Sequence, residues 1–524
     1  MGQLLRYLIS SKDYPKTTRL IDNKNMDFLD PRKRRSNQIR LIIGYFLMWV
    51  AIILGTVILV YAAYGYGINT KTGEVVENGL LFVGSKPSGG EIYLNGKDQN
   101  ATTASRLVLP AGNYTLSIKR SGYRDWQRSF GLDEHSIARY VYPFLFPTKP
   151  RVTPLKTYST QSPLVTQSPD RRWYLVQNPD AAAGAVSFDE YDTTATDMSK
   201  NIQAVNIPSG ILSGDQSGSS LSLIEWSTDN NHVLLKNTYA GGDEFIVFDR
   251  ANPADSFNVN KLFGIAPNQV ALFNKKVDQL YIYDQSQQTL QLGDVSKATL
   301  ATPLIKDALA FKPYGTNLIA YITTKNQSAG QAQARIWSNG QTYPLYSFTA
   351  GDHYLIDMAQ YQGQWYYFAG SNKSPRINIY KNPLDNIKNP AIGKAVPVLA
   401  LQDPGATEGS FSANTEFIEV ESGQSFAVYD LETLNSYQYT LSSPLAAPMS
   451  WMDGDRLVGS TGGNVLVMDY DDTNAQTLVP TLQPEGGLFS RDYNHLLVME
   501  PVSGSDGASL VNVDLRAGVD LPKQ

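Results

Sequence analysis

The sequence contains no cysteine. Disulfides, thiolate metal sites and cysteine nucleophiles are therefore excluded, and stability must come from burial. Histidine is nearly as scarce: His135, His232, His353 and His495 are the whole complement. No two of them lie at metal-ligand spacing. His232 and His495 instead share a place in two repeats, in the turn before an apolar strand, which is turn chemistry. No Gly-x-Ser-x-Gly elbow occurs, and Gly462-Gly463 and Gly486-Gly487 are turn glycines with no Lys-Ser/Thr behind them. No residue is nominated as catalytic, no cofactor is expected, and the chain is read as a non-enzyme.

Charge is sparse, at 18 % of residues, and unevenly spread. Residues 1–40 hold ten Lys/Arg against four Asp, a net +6, which leaves the remainder at −11. A basic end on an acidic body is a membrane-topology pattern, and an acidic body disfavours nucleic acid as a partner. Residues 41–64 form the one long apolar run and carry no charge. About 20 such residues cross a bilayer as a helix. Arg32, Lys33, Arg34, Arg35 and Arg40 precede the run, whereas only Lys71 follows closely. The positive side stays in the cytoplasm, so a single-pass anchor with an extracytoplasmic bulk is expected. A cleaved signal peptide fits less well, because its basic region would not sit behind so many residues. Within the cytoplasmic tail, Leu4, Leu5, Leu8 and Ile9 offer one face of an interfacial helix; a tail without order is the alternative. Met1-Gly2 does not make a myristoylation site, because Arg6 stands where that motif wants Ser or Thr.

Aromatic residues are plentiful, 11 % of the chain with 31 tyrosines, which suits stacked β-structure. Across 79–147 short alternating runs appear at Leu80–Val83, Glu91–Asn95, Arg106–Leu109 and Tyr114–Lys119. Lys86–Gly90, Asn95-Gly96 and Pro110–Asn113 punctuate them as turns. A small antiparallel β-sandwich is expected. The stretches Ser85–Gly96, Leu109–Leu116 and Ser121–Trp126 resemble the PEGA domain, whose proline-to-glycine turn corresponds here to Leu109-Pro110-Ala111-Gly112. The family's Gly-x-x-Thr-Pro stretch is replaced by Asp98–Ala104, which leaves the shape of that loop open. The resemblance implies an extracytoplasmic spacer or binding module without catalytic activity.

From 151 to 524 the chain repeats itself. A small-polar or Pro-Asp turn followed by an apolar strand recurs at Ser168–Val176, Trp226–Leu235, Phe311–Tyr321 and Phe489–Val498. Weaker copies start near Leu272, Tyr361, Phe411 and Trp451. A later strand often ends in an aromatic beside Asp or Lys, as in Phe248-Asp249, Tyr283-Asp284, Tyr380-Lys381 and Tyr429-Asp430. Eight copies at roughly 40–60 residues read as propeller blades, because a four-stranded blade covers its faces only against neighbours. The pattern resembles propellers related to the periplasmic TolB family and, more distantly, tryptophan–aspartate repeats. The expected fold is all-β: a transmembrane helix, the small sandwich, then a β-propeller of seven or eight blades. An elongated array of sandwiches is the alternative.

Site candidates are few. Asp469, Asp471 and Asp472 supply alternating oxygens in a short loop, a weak cation candidate that lacks the Gly and distal Glu of an EF-hand. Trp365, Tyr366, Tyr367 and Trp451 are available for a binding face or for the core. The expected function is a membrane-anchored scaffold whose propeller face binds an envelope protein or a cell-wall glycan. An envelope-acting propeller enzyme and a transmembrane sensor subunit are the alternatives.

Overall fold

The computed structural model describes residues 31–63, 66–68 and 75–518, apart from 183, 196, 215 and 217. The proposed interfacial helix at Leu4–Ile9 lies outside these residues. Helix α1 (Pro31–Ala63) opens on a proline, which suits the first helical position because its missing N–H would be unpaired there. It begins ten residues before the apolar run and takes in Arg32, Lys33, Arg34 and Arg35. Gln38–Tyr61 is long and apolar enough to cross a membrane, the one such helix among the described residues. At 1.5 Å per residue its length is about 36 Å, more than the hydrocarbon core requires. Phe46, Ile58 and Leu59 are 64–70 % exposed, a surface suited to lipid and costly in water. Thr56 returns its hydroxyl to the Ile52 carbonyl (2.8 Å), which satisfies it within the helix.

The chain divides into two compact units. The first contains α1 and most of a sheet built from β1 (Tyr66–Ile68), β2 (Val75–Val83), β5 (Ser105–Pro110) and β8 (Ile137–Tyr140). β2 is central, flanked by β5 and by β1 and β8.

The second unit begins with the sheet β4-β3-β6-β7, made of β3 (Glu91–Leu94), β4 (Lys97–Thr102), β6 (Gly112–Lys119) and β7 (Trp126–Leu132). Ile92 faces Ile118 and Leu94 faces Leu116 in register, and all four are buried. Asn95 and Gly96 both have positive φ (49° and 76°), the backbone that a two-residue hairpin between β3 and β4 requires. The loop left open at Asp98–Ala104 is largely strand β4, which carries little apolar surface and is held by backbone pairing to β3.

Eight four-stranded antiparallel sheets follow among the described residues. They span 165–206, 220–258, 269–300, 310–349, 354–401, 408–440 and 450–480, with the eighth formed by 488–514 and β9 (Arg151–Tyr158). Each repeat read in the sequence supplies one sheet. Neighbouring sheets share apolar clusters, such as Phe188 against Phe248 (ring centroids 5.6 Å) and Phe368 against Phe411 (5.6 Å). The eighth and first sheets also share one, containing Tyr158, Tyr174, Tyr191, Leu497 and Leu510, so the series closes into a ring. Closure comes from β9, which precedes the first sheet in the chain yet pairs with Ala508–Asp514 of the eighth; Arg151 Nε meets Asp514 Oδ2 at 2.6 Å. Ring closure covers most of both faces of the sheets and leaves only short outer edges.

The repeated turn has a local cause. Ser168, Ser412 and Ser490 each accept from the backbone N–H five residues on, at 3.0 Å, and donate to the Asp or Asn two residues on. The residue after that Asp or Asn takes a left-handed φ near 60°: Arg171, Thr415 and Tyr493. His232 sits in the corresponding turn of the second sheet, with Nδ1 2.7 Å from Asp229 Oδ2 and Nε2 3.4 Å from Asp249 Oδ2. His495 Nδ1 lies 3.1 Å from Asp514 Oδ1. Both histidines close turns.

Candidate functional site

The proposed cation loop is a joint. Asp469 ends a strand of the seventh sheet and is 2 % exposed. Its Oδ2 accepts from Trp126 Nε1 (2.8 Å) and Asn474 Nδ2 (2.9 Å). Burial raises its carboxyl to about 6, opposed by the Arg456 guanidinium, whose Nη1 lies 3.9 Å away. Asp471 pairs with Arg128 Nη1 (2.9 Å). Asn474 clasps the backbone of Gln127 through both its side-chain oxygen (2.9 Å) and nitrogen (3.1 Å). Asp472 is half-buried beside them, its carboxyl pushed up by burial and then by Asp471. The oxygens that suggested a cation thus lock β7 onto the seventh sheet. Among the described residues no group of three or more His, Asp or Glu is placed to hold a metal ion. The proline-rich segment Pro143–Pro150, the joint between the small sandwich and the repeats, is also packed, with Phe144 and Phe146 in the core shared by the seventh and eighth sheets.

The four proposed binding aromatics divide. Tyr366 and Tyr367 are 4 % and 1 % exposed and belong to the core. Trp451 is half-buried and donates Nε1 to Ser410 Oγ at 2.9 Å. Trp365 lines an open cleft of about 280 Å³, with the buried Tyr367 at its wall and Asn382, Asp385 and Lys388 supplying polar groups. Its ring meets Tyr314 edge-on, with centroids 4.9 Å apart.

Tyr314 is 43 % exposed and also lines a larger cleft of about 480 Å³. First strands of the second, third and fourth sheets wall this cleft. Ile224 and Phe311 give it apolar surface, while Gln269, Lys275 and Lys312 give it polar groups. Glu225 carries Lys275 and accepts from the Leu272 N–H (2.6 Å). Lys312 Nζ lies 3.4 Å from Asp357 Oδ2, and burial raises the Asp357 carboxyl against the pull of Lys312. Two ion pairs, a partly exposed tyrosine and apolar floor thus lie together at this cleft.

A set of carboxylates escaped the sequence reading. Glu419 and Glu421 of the sixth sheet, and Asp403 in the connection that leads into it, are 2–3 % exposed. Burial raises Glu419 well above the ordinary range, Glu421 to about 7 and Asp403 to about 6, each as the first cause. Glu421 Oε2 accepts from the Met449 N–H (2.9 Å) and Ser410 Oγ lies 3.4 Å from Glu419 Oε2. Glu419 and Glu421 alternate with apolar residues along their strand, which reads as an ordinary solvent face.

The PEGA domain family model matches residues 78–139. A search of curated proteins gives no match. The C-terminal WD40 domain of Sif2 is similar at 10 % identity, over 70 % of this chain and 99 % of that one, with a TM-score of 0.44. The Dos1 propeller is similar at 15 % identity, over 70 % and 96 %, with a TM-score of 0.43. The uncharacterized protein lmo1340 from Listeria monocytogenes EGD-e is similar at 12 % identity, over 63 % and 92 %, with a TM-score of 0.36. Residues 78–139 are a PEGA domain, and a β-propeller follows it.

Proposed function

We propose that this protein is a membrane-anchored scaffold that binds an envelope protein or a cell-wall glycan at the paired clefts around Tyr314 and Trp365. The observation that carries the reading is Tyr314, 43 % exposed in one open cleft and packed against Trp365, which lines a second. A ring of sheets covered on both faces is a rigid support, so little ordering cost falls on the site when ligand arrives. In this reading Arg32, Lys33, Arg34, Arg35 and Arg40 hold the N-terminus in the cytoplasm and the propeller works outside. The acidic body then faces ligands that are not polyanions.

The test is co-sedimentation of the full chain, held in lipid nanodiscs, with insoluble wall material from the source cell. Binding that persists at high salt and is lost in Tyr314→Ala supports stacking recognition of a glycan. Binding that is absent from wall material but present with solubilised envelope proteins assigns the protein ligand. Wild-type binding equal to that of Tyr314→Ala with both ligands removes the clefts from the reading.

A further inference from the structure

The sheet that follows α1 exposes one face of its strands β5 and β8 among the described residues. Alternation along its strands exposes Arg106 and Val108 on β5 and Ile137 and Arg139 on β8, while Leu80 and Phe82 on β2 stay half-exposed around a fully buried Leu81. Val108 and Ile137 are 55 % and 61 % exposed. The Arg139 guanidinium lies over the Phe82 ring, 5.9 Å from its centroid. Neither arginine has a carboxylate within ion-pair distance among the described residues; the nearby acids Asp133 and Glu134 are exposed in the turn before β8. Branched aliphatics flanked by unpaired arginines are the composition of a surface that settles at the boundary between headgroups and acyl chains.

The chain between anchor and sheet limits where this face sits. α1 ends at Ala63 and β1 begins at Tyr66, where it pairs with Glu77 of β2. Three Cα steps reach at most about 11 Å, comparable to the depth of a headgroup layer.

We propose that the outward face of this sheet docks on the phospholipid headgroups of the membrane that α1 crosses, with Arg106 and Arg139 on lipid phosphates and Val108 and Ile137 at the acyl boundary. The proposal rests on α1 being a membrane anchor. Each arginine at an anionic surface favours the docked state by about fivefold, an effect that salt weakens.

The absence of native cysteine makes a site-specific probe simple. Val108→Cys, and Val398→Cys as a control that is 47 % exposed in the fifth sheet, are each labelled with an environment-sensitive dye in the full chain. The protein is reconstituted into vesicles of phosphatidylcholine alone or mixed equally with phosphatidylglycerol. Flotation is checked first, and quenching by neutral acrylamide is then read. The expected result is several-fold lower quenching at 108 than at 398 in the mixed vesicles. The protection shrinks in phosphatidylcholine, and shrinks likewise in both Arg106→Glu/Arg139→Glu and Arg106→Ala/Arg139→Ala. Equal quenching at 108 and 398 in protein that floats overturns the docking and leaves the anchor intact. Failure to float overturns both. Protection at 108 that grows with protein concentration and ignores lipid charge overturns the proposal in favour of a second copy of this chain.

Discussion

Trp126 Nε1 donates a 2.8 Å hydrogen bond to Asp469 Oδ2 across 343 residues of sequence. Both groups are almost fully buried, at 1 % and 2 % exposure. Removing the carboxylate strands the indole N–H and takes one of the acceptors of the Asn474 amide, which keeps the Gln127 carbonyl; a buried polar group left unpaired costs about 1–3 kcal/mol. Asp469→Ala is expected to lower the unfolding free energy of the full chain by about 3 kcal/mol. Trp126→Phe, which leaves the carboxylate with Asn474 and Arg456, is expected to cost about 1 kcal/mol beyond its packing loss. Denaturant unfolding checks both values. Because these oxygens already have partners, added calcium or chelator is expected to leave the midpoint unchanged.

Ring closure depends on β9. Thr153 lies opposite Asn512 in that pairing. Proline at 153 removes a donor and forces φ, at a cost of about 3 kcal/mol when a ladder bond is lost. Thr153→Pro is expected to shift urea unfolding to lower concentration. Proteolysis is then expected to cut first near the 143–150 joint.

Mild acidity is expected to stabilise the region around the sixth and seventh sheets. Glu421 and Asp403 titrate at about 7 and about 6 in the folded chain, raised first by burial, and Glu416 and Asp455 at about 8 and about 7. Their raised values mean that the folded state holds protons the unfolded state releases. Stability falls as pH climbs from the ordinary carboxylate range through these values, and is flat above them. Below about pH 4 the opposite group acts: Asp192 is lowered to about 2 with Arg172 as its partner, and protonating it removes stability. Glu421→Gln keeps an acceptor for the Met449 N–H and removes the proton. It is expected to stabilise the protein by about 2 kcal/mol at pH 8 and by little at pH 5. Thermal unfolding across that range decides; an unchanged slope contradicts the burial argument.

Legibility in the sequence followed locality. The Ser-x-Asp or Ser-x-Asn turns were readable because their hydrogen bonds span five residues, as at Ser490 and His495. Asn95-Gly96 was readable because its positive φ values need those residue types. Strand β4 was not, since Lys97–Thr102 is held by backbone pairing and shows no apolar period. Glu419 looked solvent-facing because alternation marks one face of a strand as polar, yet the ring covers both faces. Tyr366 and Tyr367 are core for the same reason. The Tyr314–Trp365 contact joins two sheets, and the Trp126–Asp469 contact joins the PEGA domain to the seventh; neither leaves a trace in local pattern.

The central claim is ligand recognition at Tyr314. The most direct measurement compares wild-type and Tyr314→Ala full chains in nanodiscs for binding to wall material and to solubilised envelope proteins, at low and high salt. Because Tyr314 is 43 % exposed, the substitution is expected to leave thermal unfolding nearly unchanged. The account expects affinity for one of the two ligands to fall by about tenfold or more, as truncating a central aromatic contact does. Equal binding by the two proteins to both ligands, or no binding to either, contradicts it.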